Sequence, residues 1–469
     1  MQGDPCANKY MRNETTFPDL DNRKAFYRAL LVIVLPIIFQ YFMSSLVTAS
    51  DAFMLGFLDQ ASLSAVSLAG QVAFVFYLFI NTFITGATVI GAQYWGKKDF
   101  AAMEDIVGIT LRYSMIAGLV FTLSAEFFPS VLMRVFTNDP EMIAGGVKYL
   151  RMVALSYFLL SYCDPYLCIM KICEKTTLSS VISSVGVVIN IILNGLLIFG
   201  VGPFPEMGIE GAALATVISR ALECVMVAVA VKTTDITPLR IKKLIRVAKK
   251  FIHKDFWKYS VPILINQFGW GGGVTMYSVI MGHLGNDATA ANSIAGIVRN
   301  IIASVCWALA TAAGIIIGKM LGAGELEKAK RCGGKFVRLS LLIGVACGVI
   351  ILGLTPLALL IPTDMTPVAH GYMKWMLLMG AYYIIGNSLN STVIGGIFPS
   401  GGDTKFGMIC DCVTLWCVVV PLGMLAAFVW KLPVVAVAAI LTLDEFVKIP
   451  AVYLHYKKYK WVKNITRDE

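Results

Sequence analysis

LPIIFQYFMSSLVTASDAFMLGFL, residues 35–58, and VPILINQFGWGGGVTMYSVIMGHL, residues 261–284, are the two stretches on which the fold turns. Each is apolar and long enough to cross a bilayer, for which about 20 residues suffice. Sliding the chain on itself by 226 residues brings them into register and extends the match without a gap over 36–96 and 262–322. Pro36 then falls on Pro262, Gly56 on Gly282, Ala69 and Gly70 on Ala295 and Gly296, Thr85 on Thr311, and Gly96 on Gly322. The ends of the two halves echo each other as well, with Ala212, Ala213 and Thr216 on Ala438, Ala439 and Thr442. Shared composition inflates identity between apolar segments, but it does not keep Pro and Gly in step. The chain reads as a duplication.

Working outward, apolar runs of spanning length recur near 29–55, 62–92, 108–133, 146–170, 177–200, 208–231, 257–284, 287–318, 337–361, 368–398, 404–430 and 432–455. A mean hydropathy of +0.74, with 57% hydrophobic and 14% charged residues, excludes an ordinary soluble domain. The predicted fold class is an all-α polytopic membrane protein, with 12 transmembrane helices in two pseudo-symmetric six-helix lobes. Most of the 39 Lys and Arg fall on one side of this topology, at Arg23, Lys24, Lys97, Lys98, Lys171, Lys175, Lys328, Lys330 and Lys457 among others. By the positive-inside rule that side is cytoplasmic, and both termini lie there. The net charge of +10 follows from this bias and does not call for nucleic acid. The polar first 20 or so residues have no apolar h-region and predict no cleaved signal peptide. The eleven cysteines lack metal or disulfide spacing and read as packing.

The expected organisation is a cytoplasmic N-terminal tail over 1–24, a first lobe over 25–231, a basic linker over 232–256, a second lobe over 257–456 and a cytoplasmic C-terminal tail over 457–469. Within the linker, IKKLIRVAKKFIHK (241–254) is amphipathic and suits the anionic cytoplasmic leaflet; a solvated linker helix fits it equally. Six spans per repeat orient both halves alike, so the pseudo-twofold axis runs along the membrane normal and a substrate would bind between the lobes.

One residue in the opening stretch bears most on function. Asp51 is an acid inside a hydrocarbon span, where insertion costs roughly 2.5–3.5 kcal/mol and the default reading is a functional site facing a polar interior. Asn190 and Asn194 are four apart on the fifth span, and Ala212 and Thr216 four apart on the sixth; each pair shares a helix face. At about 1.5 Å per residue all of them lie in the outer half of the first lobe. A carboxylate, amide carbonyls, a hydroxyl and a backbone carbonyl are the hard oxygen ligands that suit a small cation. No such acid stands in the second lobe's copy, where Tyr277 holds the position of Asp51, so coupling is expected in the first lobe alone.

Several segments together resemble the multidrug and toxic compound extrusion (MATE) family, within a larger flippase-like superfamily. They are LPIIFQ followed by ASDAFMLGFLDQASLSAVSLAG (49–70), GAQYWGKKD (91–99), NIILNGLLIFG (190–200), PEMGIEGAALATVISR (205–220), VPILINQF (261–268) and GKMLGAGE (318–325). The resemblance covers about 25–456. It implies two six-helix bundles in a V around a central cavity, and export of amphipathic, often cationic small molecules across the cytoplasmic membrane. The drive would be inward Na+ or H+, with no other cofactor, no enzymatic step and a monomer in the bilayer as the working unit. It further implies a first-lobe cation site at Asp51, Asn190, Asn194 and Thr216 with the Ala212 backbone beside them. Asn194 often carries a second acid in relatives, and its absence here leaves protonation of Asp51 open beside sodium binding.

The expected substrate cavity is apolar with sparse polar points: Gln40, Tyr41, Met43, Met54, Gln71, Asn81, Asn266, Gln267, Arg299 and Asn387. Arg220 with Glu223, and Asp444 with Lys448, have the spacing of self-neutralising pairs on one helix face. Arg299 needs a partner, and either Asp164 or Asp411 could supply it. The alternative function is a flippase or exporter of a lipid-linked or metabolite substrate, which would line its cavity with several cationic residues. Arg299 is the only clear candidate for that role in the sequence.

Overall fold

A computed structural model describes residues 23–56, 60–233, 248–360 and 365–467. Among these no strand occurs, and twelve long helical segments follow one another. We number them α1 (Arg23–Gly56), α2 (Gln60–Gly96), α3 (Phe100–Phe127), α4 (Pro140–Ile172), α5 (Thr176–Phe199), α6 (Gly208–Thr233), α7 (Lys250–His283), α8 (Asn286–Gly322) and α9 (Leu326–Leu360). Then come α10, Pro367–Asn390 continued through a π-helical stretch Ser391–Ile397 to Ser400, and α11, which starts as Thr404–Val413 and runs on through Val429. The last, α12, is in two pieces, Val434–Leu441 and Asp444–Lys457. Nine of the helices among the described residues are long and apolar enough to cross a membrane by length and composition alone.

Three local features add to the sequence reading. The twelfth span breaks at Thr442 and Leu443, where the Thr442 N–H and hydroxyl both reach the Ala438 carbonyl and the hydroxyl also reaches that of Ala439. The seventh helix begins at Lys250, so the final residues of the expected linker belong to it; residues 234–247 lie outside the described residues, as does the N-terminal tail over 1–22. The C-terminal tail is packed. Trp461 is fully buried against Gly333 and Tyr456, and Gln93 of α2 donates to the Lys463 carbonyl and accepts from Ile465 N–H.

The repeat is visible in the packing. In the first six helices α1 packs on α5, α2 and α3 on α4, and α4 and α5 on α6; in the last six α7 packs on α11, α8 and α9 on α10, and α10 and α11 on α12. Turns match as well. After α2 the Asp99 N–H reaches the Tyr94 carbonyl with Lys98 at φ 63°, and after α8 the Glu325 N–H reaches the Met320 carbonyl with Gly324 at φ 81°. A lysine thus accepts the left-handed conformation that its twin fills with glycine.

The halves meet through α1, α2, α7 and α8, at the end of the molecule where α1 begins and Trp461 is buried. Phe26, Leu30, Val34 and Ile37 of α1 share one core with Ala308 to Leu321 of α8. At the crossing of α2 and α8, Gly96 rests on the Lys319 backbone and Gly322 on that of Gln93. These two contacts are exchanged by the 226-residue shift, so the pseudo-twofold axis passes through this crossing.

Candidate functional site

Near the far end of the first lobe, α1, α5 and α6 converge on one polar chain. Asn194 donates from Nδ2 to Asp51 Oδ1 at 2.5 Å and to Asn190 Oδ1 at 3.3 Å. Asn190 in turn points its Nδ2 at Thr216 Oγ1 and Ser219 Oγ, each at 3.4 Å, while Thr216 donates to the Ala212 carbonyl at 3.0 Å. Every residue read from the sequence as a cation ligand is therefore brought together. The reason is the one-turn spacing within α5 and α6 and the tight packing of α5 against both neighbours. Ser180 adds a strut, donating to the Pro36 carbonyl of α1 at 2.6 Å. Ser219 was missed; it lies three residues beyond Thr216, and that spacing was the available signal.

The environment is tight. Asn190 and Asn194 are 5% and 1% exposed, and Asp51 is half-buried. Asn194 Oδ1 is buried without a partner. A buried amide oxygen normally finds a donor, so the site carries one free acceptor beside its carboxylate. Counting oxygens, Asp51, Asn190, Asn194, Thr216 and the Ala212 carbonyl could surround a small cation once the amides turn.

One turn further along α6, Arg220 reaches a cavity of about 530 Å³ walled by α1, α2, α4, α5, α6 and α8. Gln40, Tyr41 and Asn81 line it, as the sequence suggested, together with Tyr77, Trp307, Asp164 and Lys171. The other expected wall residues sit elsewhere. Met43 is buried, Met54 packs on Leu55, Ile198 and Ala212, and Gln71 and Gln267 are half-buried away from the lining. Asn266 donates to Asp411 at 2.8 Å and Asn387 to Glu445 at 3.2 Å.

Arg299 also leaves the central cavity. Ile297, Asn300 and Ile301 face it, and at about 100° per residue Arg299 must point to the opposite side of α8. It lies 5.1 Å over the Tyr383 ring, inside the second lobe. Neither expected acid pairs with it: Asp164 stands on the central cavity, and Asp411 binds Lys448 at 3.1 Å. The Arg220–Glu223 pair forms as read, at 2.7 Å with Glu223 1% exposed. The Asp444–Lys448 pair proves to be a cluster, since Lys448 also meets Asp411 and Glu445 at 3.1 and 3.2 Å and lies 3.8 Å from Asp444. The sequence could not show that α11 brings Asp411 alongside α12.

The MatE family model matches residues 36–196 and 262–425. The "Probable multidrug resistance protein YoeA" of Bacillus subtilis is 22% identical over 95% of this chain and 96% of its own length. The "Probable multidrug resistance protein NorM" of Thermotoga maritima is 23% identical over 94% and 95%. Among solved structures, a MOP superfamily transporter from Pyrococcus furiosus superposes with a TM-score of 0.84 at 17% identity, covering 92% of this chain and 95% of that one.

Proposed function

The chain belongs to the MATE family of integral membrane transporters, not an enzyme family, and on that premise we propose that it is an antiporter exporting amphipathic small molecules by alternating access. Inward Na+ or H+ drives it through the first-lobe site. The observation that carries this reading is the Asp51–Asn194–Asn190–Thr216 chain, buried in three helices and one turn of α6 from a side chain of the central cavity.

The chemistry follows from the hydrogen bonds. With Asp51 ionised, Asn194 turns its amide N–H toward it and leaves Oδ1 unused. A cation between them, or a proton on Asp51, favours the reverse orientation, with the amide oxygen presented. That flip alters what Asn190 and Thr216 receive, and so how α5 and α6 pack beside Arg220. Substrate in the cavity meets Tyr41, Tyr77 and Trp307 as apolar walls and Asp164 as an acid suited to a cationic group. The basic loops support a cytoplasmic position for both ends of the chain; with that orientation the α2–α8 crossing closes the cytoplasmic side and this state faces outward. The working unit is the monomer in the cytoplasmic membrane, and the two six-helix halves are the bodies that move.

Lys171 and Arg220 on the cavity wall favour a second reading, a flippase or exporter of a lipid-linked or metabolite anion. Asp164 beside them and Glu223 on Arg220 offset that charge. Reconstituted vesicles decide. Efflux of a fluorescent organic cation under an imposed Na+ or pH gradient supports the antiporter; no efflux under either gradient, with translocation of a fluorescent diphosphate-linked lipid, supports the rival.

A further inference from the structure

We propose that the second lobe holds a proton-binding site of its own, centred on Asp444 and opening on a small chamber between α7, α8, α10 and α12. This goes beyond the first-lobe reading, which gives the second lobe no role in coupling.

The chamber occupies the twofold-related place of the first-lobe site. The 226-residue shift carries Asp51, Ala212 and Thr216 onto Tyr277, Ala438 and Thr442, and all three line it. Its volume is about 80 Å³. That is room for two or three waters at roughly 30 Å³ each, and waters hold such a place only where polar partners face it. The partners are present: Asp444 and Arg299 line the chamber, and the Tyr277 hydroxyl lines it buried and without a partner. The acid has changed helices. Where the first lobe draws its carboxylate from α1, the second draws it from α12.

Three carboxylates gather here, and their partners distinguish them. Asp411 spends both oxygens, on Lys448 at 3.1 Å and Asn266 at 2.8 Å. Glu445 takes Lys448 at 3.2 Å, Asn390 at 2.8 Å and Asn387 at 3.2 Å. Asp444, 3% exposed, has Lys448 only at 3.8 Å, and its Oδ1 has no partner. An acid kept purely for packing would have both oxygens satisfied. Other charged and titratable groups facing Asp444 are Tyr277 from α7, Arg299 from α8, Tyr383 from α10, Asp411 from α11, and Glu445 and Lys448 on its own helix.

The charge tally gives that unpartnered oxygen a reason to take a proton. Lys448 is the one cation found in ion-pair range of these three carboxylates among the described residues, so the cluster carries excess negative charge in a setting where an uncompensated charge is costly. Addition of one proton to the unpartnered oxygen of Asp444, relayed by water in the chamber, lowers that excess by one charge. Loss of that proton restores a carboxylate in the chamber that Arg299 also lines. The exchange therefore changes the force between α8 and α12 during the transport cycle.

The test is acid-induced infrared difference spectroscopy on the full-length protein in lipid, with proton uptake measured on the same samples. The expected result is a protonated-carboxyl C=O band, and one proton of uptake, lost in Asp444→Asn and retained in Asp51→Asn. A folded Asp444→Asn protein with the wild-type melting transition, an unchanged band pattern and unchanged uptake would overturn the proposal. Should Asp444→Asn fail to fold, Tyr277→Phe removes the hydroxyl that shares the chamber and leaves the Lys448 cluster whole. It is expected to shift the frequency of that band, and a band that does not move overturns the proposal equally. A band lost only in Asp51→Asn would leave the first-lobe reading standing and end this one.

Discussion

Gly322→Ala is the sharpest probe of how the two halves close on one another. A Cβ at Gly322 lands on the carbonyl of Gln93, and one at Gly96 lands on that of Lys319. Both obstacles are backbone, so no side chain can swing aside and the helices must part. Overpacking of this kind costs about 1–3 kcal/mol. The cost falls only on the state in which α2 and α8 cross, because separated helices leave the methyl in open space. A differential of that size shifts the closed-to-open ratio about 5- to 150-fold. Pulsed electron paramagnetic resonance reads it directly, with spin labels at Ala101 and Glu327, two exposed positions related by the repeat. The labels go into a background whose reactive cysteines have been replaced. The variant is expected to gain a long-distance population that the parent lacks at the same pH. A distance distribution identical to that of the parent, in a protein of unchanged melting temperature, would refute the claim that this crossing is the closure.

Three further substitutions probe separate parts of the account. Trp461→Ala removes the fully buried anchor of the C-terminal segment and is expected to destabilise the protein by about 3–5 kcal/mol, read as a lowered unfolding midpoint in detergent. Asn194→Leu keeps the branched outline of the side chain but deprives Asp51 of its donor; a loss of about 1.5–3 kcal/mol is expected, together with loss of any Na+- or proton-dependent change in stability. Glu223→Gln breaks the ion pair with Arg220, whose side chain is 34% exposed on the cavity. Water there tempers the cost below that of a fully buried pair, to about 1–3 kcal/mol, and the effect on substrate affinity is expected to exceed the effect on unfolding.

The sequence carried the architecture because spanning helices and duplications leave long-range marks: apolar runs of fixed length, a constant offset, and prolines and glycines that stay in register. The first-lobe site was legible for a related reason. Asn190 with Asn194, and Ala212 with Thr216, are neighbours on their own helices, so only the meeting of three helices had to be supplied by the fold. Pairings between distant helices were not legible. Nothing local says that Asp411 on α11 reaches Lys448 on α12, or that Arg299 turns its back on the central cavity while Lys171 and Arg220 face it. Several polar residues chosen as cavity wall, among them Asn266 and Asn387, are instead donors to buried acids. A polar side chain on an apolar helix says that it needs a partner, and leaves open whether that partner is substrate or another helix. Nothing in the apolar run around Thr442 marks the break there, since its repeat counterpart Thr216 makes the same hydroxyl-to-carbonyl bond within a continuous helix.

The central claim is that Asp51 couples ion movement to export, and one measurement addresses it directly. Efflux of a fluorescent organic cation is followed in vesicles with Na+ and pH gradients imposed separately, for the parent and for Asp51→Asn at matched amounts of folded protein. The account predicts that one gradient accelerates efflux in the parent and that Asp51→Asn retains substrate binding but loses the acceleration. Gradient-driven efflux at the parent's rate in Asp51→Asn would contradict it.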